Sequence, residues 1–120
     1  MSQNINVVLA DDHVFVRDGI KSLLENEDNI TVVGEAVDGL DALEVVKNLN
    51  PDLLILDIRM PHLTGIEVVE KLRSQKNTLK IIMLSMHESE EYVLKSIKAG
   101  ADGYLLKGSS KDEFLKALQT

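Results

Sequence analysis

Five polar side chains stand where short aliphatic runs come to an end. Asp11 and Asp12 follow Ile5–Ala10, Asp57 tips Leu53–Asp57, Ser85 closes Lys80–Ser85 and Lys107 closes Gly103–Lys107. Core strands do not end in carboxylates for packing reasons, because an ionised acid is costly to bury unless something pairs with it. Three carboxylates gathered within a few ångströms repel by on the order of 1 kcal/mol per pair in water, and by several times more at reduced dielectric. Such a cluster either takes up protons or binds a cation. An all-oxygen set suits a hard ion, and few ligands with room for water suit Mg2+ better than a caged Ca2+. A hydroxyl and an ammonium beside that cation suit phosphoryl oxygens, one as hydrogen-bond donor and the other as point charge. The combination describes a carboxylate nucleophile, Asp57, that accepts a phosphoryl group.

For this chemistry to exist, the chain must bring all five groups to one edge. Apolar runs alternate with helix-period segments five times along it. Ile5–Ala10 reads as a first strand, and Val16, Ile20, Leu23 and Leu24 then recur at helical spacing up to the turn Asn26-Glu27-Asp28-Asn29. Ile30–Gly34 is a β-branched second strand. The next helix carries Leu40, Leu43, Val46 and Leu49 on one side and closes at Asn50-Pro51. After Leu53–Asp57, residues Pro61 and Gly65 forbid simple continuation, and Thr64 with Glu67 has capping-box spacing for a third helix. Lys80–Ser85 is strand four, Ser89–Ala99 is helix four with Gly100 as terminator, and Gly103–Lys107 is strand five. Ser110 and Glu113 open the last helix with a second capping box. Strict alternation with near-continuous apolar strands predicts an α/β fold, a five-stranded parallel sheet with helices on both faces. One common solution has strand order 2-1-3-4-5, with its switch point at the carboxyl ends of strands one and three, where Asp11, Asp12 and Asp57 fall.

A chain of 120 residues is one domain, 1–120, with no Cys for disulfides or thiolate sites. A reducing, cytoplasmic setting fits that composition. Neither an apolar signal core after Met1-Ser2-Gln3-Asn4 nor a run of membrane-spanning length is present. The net charge of −7 argues against nucleic-acid contact by this segment itself. The final amphipathic stretch, Ser110–Thr120, stops without a Gly or Pro terminator, so the natural chain is expected to continue.

The chain resembles, over its whole length, the receiver domains of two-component response regulators with the flavodoxin-like fold. Within them it is similar to the NarL/FixJ branch, whose output is of the LuxR type. Leu9-Ala10-Asp11-Asp12-His13, Asp57-Ile58-Arg59-Met60-Pro61, Leu84-Ser85-Met86-His87 and Gly103-Tyr104-Leu105-Leu106-Lys107 carry that resemblance. It implies that Asp57 is the phospho-acceptor and that Mg2+ is held by Asp12 directly, Asp11 largely through water, Asp57 and the backbone carbonyl of Arg59. It implies that Lys107 and Ser85 hold phosphoryl oxygens and that Tyr104 changes rotamer when Ser85 is drawn in. A sensor histidine kinase is the implied donor, and a downstream helix-turn-helix DNA-binding domain, absent from this chain, the implied output. A phosphorylation-dependent homodimer is among the partners to be tested. The changing surface would be that of strand four, helix four, strand five and helix five. Such a protein is a transcription-regulating switch, not an enzyme, beyond phosphorylating and dephosphorylating its own Asp57.

Other readings compete for single residues. Asp11-Asp12 would serve as caps of the first helix, Ser85 as an ordinary strand-end hydroxyl, Lys107 as a solvated surface charge and Tyr104 as half-buried packing. His13, His62 and His87 fall in three loops without metal-ligand spacing and read as surface residues; Glu88, Glu90 and Glu91 read as an acidic helix start. A small aspartyl phosphatase would want a second Asp where Arg59 stands, and a nucleotide module a Gly-rich first turn in place of Ala10-Asp11-Asp12-His13. A degenerate receiver acting only as a protein-binding module would not keep Asp57, Asp12, Ser85 and Lys107 together. Gly108 after Lys107 replaces the Pro of many receivers, Val14 stands where the NarL-like branch commonly has Pro, and Met86 is expected to crowd the approach to Asp57. Arg59 and His87, each two residues past a site residue, are expected to overhang the pocket and slow hydrolysis of an acyl phosphate.

Overall fold

In the computed structural model, residues 4–60, 62–85, 90–108 and 110–119 are described, Gln119 for its backbone alone. All five residues of the strand Leu53–Asp57 are buried, as a strand covered on both faces requires. The elements run β1 (Ile5–Ala10), α1 (Val14–Leu24), β2 (Ile30–Ala36), α2 (Gly39–Leu49), β3 (Leu53–Asp57), α3 (Gly65–Ser74), β4 (Lys80–Ser85), α4 (Glu90–Ala99), β5 (Gly103–Leu106) and α5 (Lys111–Gln119). The strands are parallel in the order β2-β1-β3-β4-β5, as the alternation predicts.

Period-two alternation divides the core into two layers. Val8, Ala10, Leu54, Leu56, Ile81 and Met83 face one way, against Val46 of α2 and Val68 and Leu72 of α3. Val7, Leu9, Leu53, Ile55, Ile82 and Leu84 face the other, against Ile20 and Leu24 of α1 and Phe114 and Leu118 of α5. Register pairs Ala10 with Leu56, Asp57 with Leu84, and Ser85 with Leu106, so the carboxyl ends of four strands finish within two residues of one another.

Local chemistry sets the boundaries. Glu67 N donates to Thr64 Oγ1 at 3.2 Å and Thr64 N to Glu67 Oε1 at 3.0 Å, completing the box that opens α3. Before α5, Glu113 N likewise donates to Ser110 Oγ at 3.2 Å and Ser110 N to Glu113 Oε1 at 3.3 Å. Gly65 N donates to Ile58 O at 2.8 Å, which folds the β3–α3 loop so tightly that a Cβ at Gly65 would collide with the carbonyl oxygen of Asp57. The Arg73 side chain anchors the far end of α4: Nε donates to Gly100 O at 2.9 Å, Nη1 to Asn77 O and Leu79 O at 2.9 and 2.8 Å, and Nη2 to Asp102 at 3.0 Å. Ser96 is the one buried residue of α4.

The structure departs from the sequence reading on α2, on β2 and on β5, which ends at Leu106 rather than Lys107. On α2 the buried residues are Gly39, Ala42 and Val46, while Leu40 and Leu49 are exposed. Steps of three residues drift backwards by about 60° each on a helix of 3.6 residues per turn, which leaves Leu40 and Leu49 on opposite sides. Strand β2 continues past Gly34 to Ala36, with a register irregularity opposite Val7 and Val8. The strand therefore does not end at Gly34, which instead lets Leu49 pack close, 2.6 Å from where a Cβ would sit. The described part of α4 begins at Glu90; Ser89, its expected first residue, and Glu88 lie outside the described residues. Helix α1 forms with Val14 at its start, and the Lys107–Gly108 peptide is trans.

Candidate functional site

Where the strands finish, charged groups crowd together. Asp11 lies one residue beyond β1, where its backbone N–H extends the sheet by donating to Ala36 O at 3.1 Å. Its carboxylate is buried, accepting from His13 N at 2.8 Å through Oδ1 and ion-paired with Lys107 Nζ at 2.9 Å through Oδ2. Arg17 Nη1 donates to Asp11 O at 2.6 Å, while Arg17 Nε reaches Glu35 at 3.1 Å, so α1 and β2 together fix this turn. Asp57, 4% exposed, lies with Oδ2 3.3 Å from the same Lys107 ammonium. Lys107 is drawn to the site by its backbone as well, since its N–H donates to Ser85 O at 2.8 Å. Ser85 is itself buried at the tip of β4. Asp12 is more exposed, with Oδ1 3.0 Å from His13 Nδ1.

Burial raises the Asp57 pKa above the ordinary carboxylate range, and the charge of Asp11 raises it further; Lys107 and the Arg59 backbone N–H oppose this only in part. For Lys107, burial disfavours the ammonium, but the hydrogen bond to Asp11 and the charges of Asp57 and Asp11 outweigh it and raise its pKa. The ammonium is thus a fixed positive charge between two acids. It does not balance three carboxylates.

Asp57, Ser85 and Lys107 line a pocket of about 150 Å³ with His13, Ile58, Arg59 and Tyr92. The Arg59 side chain sits on its rim, where Nη2 donates to Tyr92 Oη at 3.1 Å and the guanidinium lies 5.8 Å from the ring centroid. A wider groove of about 640 Å³, lined by Thr78, Lys80, Asp102 and Tyr104 among others, lies beside the start of β5 and holds none of the carboxylates just described. Tyr104 is half-buried against the core and pairs with Met83; it does not line the Asp57 pocket, whose aromatic is Tyr92. Tyr92 was not singled out in the sequence, although an Arg two residues past Asp57 and a Tyr in the first turn of α4 were the available signals.

Two readings of the sequence need correction. Asp11 and Asp12 are not the caps of α1, because its N-cap is His13, without a side-chain cap hydrogen bond. Nor is His13 a detached surface residue: Nδ1 stands 3.1 Å from Asp11 Oδ1 and 3.0 Å from Asp12 Oδ1. Among the described residues Asp11, Asp12, His13 and Asp57 offer metal-ligand atoms all within 4.8 Å of one another. His62 does remain at the surface, 3.7 Å from Asp38. Met86 and His87 lie outside the described residues. The donor set fits a divalent cation: buried acids with a net deficit of positive charge, at distances an ion could span.

Residues 7–119 match the family described as the response regulator receiver domain. Over 112 residues the chain is 43% identical to the nitrate/nitrite response regulator protein NarL of Escherichia coli K12, covering 93% of this chain and 52% of that protein. The signal receiver domain of a NarL from Mycobacterium tuberculosis superposes with a TM-score of 0.93 at 37% identity, covering 98% of this chain and 94% of that one. A LuxR-family two-component response regulator from Aurantimonas sp. gives 0.92 at 32% identity, covering 98% and 84%. The chain spans about half the length of the curated relatives it matches. Among the described residues no helix is long and apolar enough to cross a membrane.

Proposed function

The chain belongs to the response regulator receiver family, of the kind found in NarL- and LuxR-type transcriptional regulators, and from that premise we propose that it is a switch thrown by phosphorylation of Asp57. A carboxylate oxygen of Asp57 attacks the phosphorus of a phosphohistidine in line. The P–N bond breaks, its electron pair stays on the imidazole of the sensor kinase, and a mixed carboxylic–phosphoric anhydride forms. Lys107, 3.3 Å from Asp57, and Ser85, one residue past Asp57's register partner Leu84 on β4, would take two oxygens of the transferred group. Receiver domains bind Mg2+ at such an acidic pocket, and when bound the ion neutralises charge on the incoming group. Asp12, Asp57 and the Arg59 carbonyl are the proposed direct holders, with Asp11 acting through water. The observation that carries this reading is the buried Asp57 whose pKa is raised by Asp11 and whose nearest cation, Lys107, is shared with that acid. Intact-mass spectrometry with a small acyl-phosphate donor tests it. One phosphoryl adduct is expected with Mg2+ and none in excess chelator; an undiminished adduct without metal contradicts the reading.

In the whole protein the domain would sit in the cytoplasm and act on a helix-turn-helix DNA-binding domain downstream, without touching DNA itself. Phosphorylation would remodel the α4–β5–α5 surface through Ser85 and Tyr104 and promote pairing with a second copy.

Three expectations follow from named contacts. Asp12→Ala should weaken Mg2+ more than Asp11→Ala does, because a direct ligand loses more than a water-mediated one; calorimetric titration returning the reverse order would reassign the ligand. Lys107→Ala should leave the fold intact yet remove the response of α4 to phosphodonor in NMR spectra, since the point charge on the phosphoryl group is gone. A full response in that variant would return Lys107 to a structural role. Arg59 stands on the pocket rim held by Tyr92, so Arg59→Ala should open the approach of water and shorten the acyl-phosphate lifetime several-fold. Decay followed by mass would show this, and unchanged decay would refute it.

A further inference from the structure

The His13 ring has no evident structural task, although its backbone caps α1. The Asp11 turn is already held by Arg17 on its carbonyl and by Lys107 on its carboxylate, so the ring is not needed to position that acid. It is not packed in place either, for the imidazole side chain is 65% exposed. Its backbone N–H already serves Asp11 Oδ1 at 2.8 Å. Even so, the ring turns inward and brings Nδ1 to 3.1 Å from Asp11 Oδ1 and 3.0 Å from Asp12 Oδ1. One ring nitrogen has a single in-plane direction for a proton or a bond, and it cannot aim at both oxygens. A cation beside Nδ1 and Asp12 Oδ1 would take both as ligands and leave Asp11 Oδ1 to hold a water bound to the ion. Ligands about 2.1 Å from an octahedral ion lie about 3.0 Å from their neighbours, which is the Nδ1–Asp12 Oδ1 spacing observed.

We propose that His13 is itself a ligand of the divalent ion held at this site, and that its nitrogen shifts the site's preference from Mg2+ toward first-row transition ions. This rests on the receiver reading of the pocket. Carboxylate oxygens serve Mg2+ and Mn2+ alike, but imidazole adds affinity for transition ions and little for Mg2+. The ring is largely exposed and contacts the carboxylates, whereas Lys107 pairs with Asp11 through the other carboxylate oxygen, so His13 can take up an ion without displacing the ammonium.

The probe is Mn2+ alone, added to the intact chain and read by pulsed electron paramagnetic resonance. Wild type should show coupling to a directly bound 14N nucleus, and labelling with 15N-histidine should convert it to a 15N signal. His13→Ala should keep Mn2+ bound while losing the nitrogen coupling, and His62→Ala should retain it. In competition titrations, the preference for Mn2+ over Mg2+ should fall about tenfold in His13→Ala. Bound Mn2+ with no nitrogen coupling, or coupling that survives His13→Ala, overturns the inference and leaves the receiver reading intact. Absence of Mn2+ binding in the wild type overturns both the metal reading of the pocket and the role of His13.

Discussion

Asp57→Asn is expected to give no phosphoryl adduct at this site and, at neutral pH without metal, to melt at a higher temperature than the wild type. The first outcome follows from chemistry, because an amide oxygen cannot form the mixed anhydride. The second follows from the environment of the acid. Burial and the Asp11 charge both raise its pKa in the folded chain, so the folded state binds its proton more tightly than the unfolded state. Where that holds, stability falls as pH climbs from the ordinary carboxylate range through the raised value. The penalty is complete above the raised value, and removing the charge removes it. The two measurements, intact mass and thermal melting across pH, are independent. A variant that melts lower than wild type at every pH would show that the ion pair with Lys107 outweighs burial, contrary to the directions given above.

Gly65→Ala should cost on the order of 2–3 kcal/mol and lower the melting temperature by on the order of 10 °C. The added Cβ would meet the backbone carbonyl of Asp57, an atom that cannot rotate away. Relief requires moving either the start of α3 or the tip of β3, and the second moves the phospho-acceptor. Phosphorylation by a small donor should therefore slow by as much as about a hundredfold, as a misplacement of about 1 Å does elsewhere. Gly19 provides the contrast. It lies in the middle of α1 with nothing within 4 Å of its would-be Cβ. The same substitution there should stabilise by about 0.5–1 kcal/mol, since the helix gains propensity without a clash. Calorimetric melts of the two variants should move in opposite directions. Equal shifts would mean that the clash at Gly65 is absorbed elsewhere.

The parts of this fold that were readable in the sequence are those where local and tertiary demands agree. Leu53–Asp57 and Lys80–Ser85 are apolar without interruption because both faces are covered, and their bounds in the structure are those the run of residue types implies. Both capping boxes were legible because the partners are three residues apart. Gly34 misled, because a glycine that admits a neighbouring Leu is written like one that ends a strand. Leu40 and Leu49 misled because apolar type and regular spacing do not reveal which arc of α2 meets the sheet. At the site, strand ends could be located and their acids counted. The direction of the His13 ring could not, since it depends on two carboxylates converging in space, although its place directly after Asp11-Asp12 was a usable hint. The pairing of Arg59 with Tyr92 is a contact across 33 residues and has no local signature.

Helix α4 is fastened unequally. Arg73 bolts its last turn to α3 and to the entrances of β4 and β5 through four hydrogen bonds. Along its length the buried residue is a serine, which brings little of the roughly 1.5–3 kcal/mol that a buried Leu or Ile would add. At the other end the Arg59 guanidinium rests on Tyr92 through a hydrogen bond from Nη2 to Tyr92 Oη at 3.1 Å and a cation–π contact worth about 0.5–1 kcal/mol at an exposed site. Mechanically this would be a lever with its pivot at Gly100 and a catch at Tyr92, on the rim of the pocket that holds Asp57. A charge-assisted hydrogen bond between Arg59 and a phosphoryl oxygen, worth about 1.5–3 kcal/mol, would compete with that catch. On the proposed phosphorylation of Asp57, release of that catch would move the free end of the helix furthest, and with it the exposed Leu94.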